Sequence, residues 1–111
     1  MKTLSSIILS ALLLAATGAL AEEHAATALE HANQAVTHGK AGHASVLVEH
    51  AEAALPHAKK GAEVAKGEAK THLDAGVKSL ESAIEHGKMG HADVATKAAE
   101  EAVEHIKAGN K

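Results

Sequence analysis

Ten histidines stand in a chain of 111 residues that has no cysteine and no phenylalanine, tyrosine or tryptophan. His24, His31 and His38 are seven residues apart, as are His43, His50 and His57, while His72 and His86 are two sevens apart, as are His91 and His105. Seven residues are close to two turns of α-helix, so each series stacks on one helical face with a rise of roughly 10 Å between members. The neutral imidazole nitrogen is the commonest protein ligand for borderline divalent metals. With carboxylates and no thiolate beside it, the donor set suits Cu(II), Ni(II) and Zn(II), copper being tightest on the Irving–Williams order. Met89, between His86 and His91, is the only sulfur after Met1.

The elements that must hold these rings are helices. Residues 24–61 align without gaps on residues 72–109, and roughly fifteen positions are identical, the mark of a repeated supersecondary unit. The clearest block is His38-Gly39-Lys40-Ala41-Gly42-His43, repeated as His86-Gly87-Lys88-Met89-Gly90-His91. Before the turn, Ala25, Leu29, Ala32 and Val36 fall at helical period; after it come Val46, Leu47, Ala51, Ala54, Leu55 and Ala58, and the second repeat follows suit. Gly39 and Gly87 read as helix stops. Short turns make neighbouring helices antiparallel, so two hairpins in series predict an all-α, up-down-up-down antiparallel four-helix bundle. Pro56 should kink or fray the second helix. Lys59 to Gly67 is the softest connection, a loop or a short helical extension.

On a helical wheel every histidine lies about a quarter turn from the centre of the apolar stripe, on its flank. Ser79 and Ala98 stand where the repeat would place partners of His31 and His50, and their joint loss favours pairing within each hairpin. Three axial layers follow: His38, His43, His86 and His91 at the Gly-x-x-Gly pole; His31 and His50 in the middle; His24, His57, His72 and His105 at the far pole, beside Glu68 and Glu101. The four-histidine turn pole is the expected centre of coupling between metal and fold. No helix has two histidines at i,i+4, so every chelate must bridge helices or cross a turn. His38 and His86 also have a helix-dipole role as C-terminal histidines, whereas His43 and His91 at helix starts are favoured neutral. Glu68 and Glu101 read first as solvated carboxylates.

Residues 1–21 read as a secretory signal peptide: Lys2, an apolar stretch from Leu4 to Ala16, and an A-x-A site at Ala19-Leu20-Ala21. The mature domain, 22–111, is then an exported, periplasmic protein with no membrane association after cleavage, and a monomer. The formal net charge of −3, with lysine and glutamate interspersed, offers no basic platform for nucleic acid. No H-E-x-x-H, Ser/His/Asp or C-x-x-C-H pattern is present, and the short aromatic-free domain cannot enclose a deep pocket, which argues against an enzyme or a haem bundle. A pH-responsive helical interaction module is the alternative reading, because imidazole titrates near ~6.5 without metal.

At the repeated histidine-turn-histidine blocks the chain resembles the small metal-binding protein family of ammonia-oxidising bacteria, over essentially the whole mature chain and most closely from Val77 to Lys107. The resemblance implies a periplasmic, histidine-rich four-helix bundle that binds several divalent metals, copper prominently, in storage, transport or detoxification. A delivery partner is not named by the sequence. Ser79 and Ala98 depart from the family pattern, which would carry histidine there.

Overall fold

The computed structural model describes the backbone of residues 2–110 and the side chains of residues 18–110. Four helices follow in order: α1 Lys2–Lys40, α2 Ala44–Val64, α3 Gly67–Lys88 and α4 Ala92–Gly109. Helix α1 packs on α2 and α3 on α4, while α2 with α3 and α1 with α4 close the ring, as in an antiparallel four-helix bundle. The expected signal peptide falls mostly on residues 1–17, whose side chains lie outside the described residues. Among the described residues no helix is long and apolar enough to cross a membrane.

The two hairpins are related by a pseudo-twofold axis along the bundle. Lys40 reaches Glu100 at 3.7 Å, and the equivalent Lys88 reaches Glu52 at 3.5 Å, so the same repeat contact is made twice with the hairpins exchanged. The core is not symmetric. Its four largest fully buried side chains are Leu47, Leu73, Leu80 and Ile106. Their repeat equivalents are Ala95, Ala25, Ala32 and Ala58, all buried, so each large side chain is matched by a small one in the other hairpin.

Two local expectations are revised. Helix α2 does not fray at Pro56 but runs on to Val64, because Ala54, Ala58, Gly61 and Ala62 bury its inner face on both sides of the exposed proline. The same burial makes most of Lys59 to Gly67 helical, the extension rather than the loop, with only Ala65 and Lys66 between α2 and α3. Gly39 and Gly87 are not the stops. Both lie buried inside the last turns of α1 and α3. A Cβ on Gly39 would strike Thr96 Oγ1 and come 2.6 Å from Leu47 Cδ1, and one on Gly87 would come 2.5 Å from Val48 Cγ2. Close approach of a neighbouring helix, not backbone conformation, demands glycine there.

Candidate metal centre

The turn histidines are set by backbone hydrogen bonds. Gly42 and Gly90 take the left-handed conformation, φ 82° and 78°, that ends each helix. The His43 N–H donates to the His38 carbonyl at 2.9 Å and the Gly42 N–H to that of Gly39 at 3.0 Å; His91 to His86 and Gly90 to Gly87 repeat this, both at 3.0 Å. This is a Schellman closure, and its outer bond joins the two histidines of the motif directly. The second histidine then serves as N-cap residue of the next helix. The His43 carbonyl accepts from Leu47 and that of His91 from Ala95, while neither ring makes a capping hydrogen bond. Both rings stay available to their partners: His38 and His43 have centroids 6.1 Å apart, His86 and His91 6.2 Å.

The remaining histidines meet across helix pairs. His24 and His57 face each other with centroids 5.5 Å and Nδ1 atoms 3.2 Å apart. One ring donates in that contact and the other accepts, so at least one nitrogen presents a lone pair. The corresponding His72 and His105 are 6.2 Å apart. His24 and His57 are each followed by a buried alanine, whereas Leu73 and Ile106 follow His72 and His105. The turn pairs, fixed by backbone, match within 0.1 Å.

His31 and His50 are partners as the sequence predicts, at 6.3 Å. The hairpin is staggered, however, so His31 also lies 6.4 Å from His57, and His38 lies 5.2 Å from His50. These diagonal contacts were not legible from the heptad spacing, which fixes the face of each helix but not the axial offset between two of them. The first hairpin therefore carries a zigzag rather than discrete layers. Ser79 and Ala98 interrupt any such series in the second.

The layers also do not extend across the bundle. Every close ring pair among the described residues lies within one hairpin. His38, His43, His86 and His91 form two pairs and not a quartet, and so do His24, His57, His72 and His105. The α1–α2 and α3–α4 edges are opposite sides of the helical ring, which separates the two histidine grooves. Among the described residues no three histidine, aspartate or glutamate side chains converge on one point. Glu68, Glu101 and Met89 are exposed.

The donor set suits a borderline divalent ion held by two imidazoles. An ion bound ~2.0 Å from a ring nitrogen lies roughly 3 Å from the ring centre, so two rings that share it can stand roughly 6 Å apart. The observed pairs span 5.2 to 6.4 Å. The Nδ1 atoms of His31 and His86 are buried without a hydrogen-bond partner. A buried polar atom left unpaired is costly, and a bound ion is one way of satisfying it.

A protein-family model described as "Small metal-binding protein" matches residues 1–109. No curated protein matches the chain.

Proposed function

Because the chain belongs to the small metal-binding protein family, whose members are non-enzymatic metal-binding proteins, we propose that it binds several divalent ions through its paired histidines and acts as a metal buffer, store or carrier. Copper(II) is the favoured ion, with nickel(II) and zinc(II) accepted, since imidazole without thiolate ranks them so. The observation that carries this reading is the facing of His24 and His57 across α1 and α2, Nδ1 to Nδ1 at 3.2 Å, in a molecule with six further close pairs of imidazole rings. Two imidazoles per ion, completed by water, hold metal firmly enough to scavenge it and openly enough to give it up. That coordination fits buffering, storage, transport or detoxification better than a closed structural site.

We place the protein in the periplasm after cleavage between Ala21 and Glu22, on the strength of the A-x-A site and the apolar stretch before it. His24 then lies within one helical turn of the new N-terminus.

Calorimetric titration of the mature chain with Cu(II), Zn(II) and Ni(II) near neutral pH tests the proposal. It expects more than one ion per chain, with copper tighter than zinc. Saturation at a single equivalent, or no binding, would refute it. N-terminal sequencing of the exported protein should read from Glu22.

A further inference from the structure

The two hairpins carry their histidines in different ways. In the α1–α2 groove each imidazole has its next neighbour within bridging distance: His24 to His57 at 5.5 Å, His57 to His31 at 6.4 Å, His31 to His50 at 6.3 Å, His50 to His38 at 5.2 Å and His38 to His43 at 6.1 Å. The series runs unbroken from the far pole to the turn, a rise of roughly 20 Å along α1. In the α3–α4 groove only two pairs exist, His72 with His105 and His86 with His91. Between them Ser79 and Ala98 offer no imidazole, and His72 and His86 are again separated by roughly 20 Å of helix.

We propose that the α1–α2 groove is a transfer track, along which a divalent ion passes between the poles of the bundle by successive exchange of imidazole ligands, while the α3–α4 groove holds two separate ions at fixed pairs. This rests on the metal-binding reading above. Each step forms one metal–nitrogen bond to the incoming ring and breaks one to the outgoing ring, and the ion keeps its charge. Four of the six rings, those of His57, His31, His50 and His38, have a neighbour on each side and serve two adjacent positions. The absence of any three-donor cluster among the described residues is what keeps the steps open. The ion keeps the ring shared by adjacent positions, and water fills its remaining coordination positions while the outgoing ring leaves and the incoming one binds. Partial burial of these six rings, His43 excepted, shelters the exchange from bulk water. In the second groove no ring can bridge the gap, and an ion changes pair only by release to solvent.

The test uses the mature protein with isotopically labelled histidine and Zn(II) at a fraction of one equivalent, followed by exchange spectroscopy of the ring resonances. The track expects the six rings of the first hairpin to share metal at a rate independent of protein concentration and at least tenfold faster than exchange between the two pairs of the second. His31→Ser with His50→Ala copies the natural break of the second hairpin. It should slow exchange between the His24–His57 and His38–His43 pairs to the second hairpin's rate. Ser79→His with Ala98→His should join the second hairpin's pairs in return, and decides the matter alone if the first variant does not fold. Equal rates in both hairpins, or a first hairpin unaffected by the break, would overturn the track and leave metal binding standing. No response of any ring to Zn(II) would remove both.

Discussion

Metal should stabilise the fold unequally along the bundle, and the sequence distance between partners sets the order. His24 and His57 are 33 residues apart and meet only because α1 and α2 pack together. His38 and His43 are five apart and are joined by the turn itself. An ion that binds the folded state alone at a hundredfold over its dissociation constant adds about 2.7 kcal/mol, less whatever the unfolded chain binds. The unfolded chain closes a five-residue loop far more readily than one of 33 residues; with closure entropy rising as 3/2 RT ln n, the difference is about 1.7 kcal/mol. That much more of the binding energy at the far pole goes into folding. For a domain of this size it corresponds to roughly 10 °C in melting temperature. The assay is thermal unfolding by far-ultraviolet circular dichroism, with and without saturating Zn(II). His24→Ala with His57→Ala should remove more of the zinc-induced rise than His38→Ala with His43→Ala, by up to that amount. This reverses the order expected from a four-histidine turn pole. If the turn pair matters as much or more, then either the unfolded chain does not compete for metal or the rings gather across hairpins after all.

Acidification should strip the metal, because protons compete for the nitrogen that binds it; equilibrium dialysis should show copper occupancy falling between neutral pH and about pH 4.5, and constant occupancy would shift ligation to the carboxylates. Gly42→Ala should cost about 1–2 kcal/mol in urea unfolding through its left-handed backbone alone, since nothing lies near its missing Cβ. Gly39→Ala sets an overpacking penalty of about 1–3 kcal/mol against about 1 kcal/mol gained in helix propensity. Thr96→Ala should recover part of the Gly39→Ala loss and none of the Gly42→Ala loss, and recovery of both would deny the contact between Gly39 and Thr96. Lys40→Ala and Lys88→Ala should each change stability by less than about 1 kcal/mol, because the ion pairs are exposed at both ends.

The sequence by itself determined the helices, their number and the face on which each histidine lies. Periodicity is a property of one helix at a time, and the apolar stripes of Ala25 to Val36 and Leu73 to Ile84 needed no neighbour to be read. The internal repeat determined the hairpins, and the joint loss of imidazole at Ser79 and Ala98 pointed to pairing within them. Other features required the tertiary structure, because they depend on distances between helices that spacing along one chain does not encode. The axial stagger of α1 against α2 put His31 beside His57 and His38 beside His50. The closure of the ring set the two histidine grooves on opposite edges and divided each expected quartet into pairs. The proximity of α4 to Gly39, and of α2 to Gly87, made close packing the demand on those glycines and left the left-handed turn to Gly42 and Gly90. The contact of His24 with His57, closer than that of His72 with His105, likewise appears only once the helices are packed. The axial offset and the packing of one helix against another decide which rings can share an ion, and spacing within a single helix fixes neither.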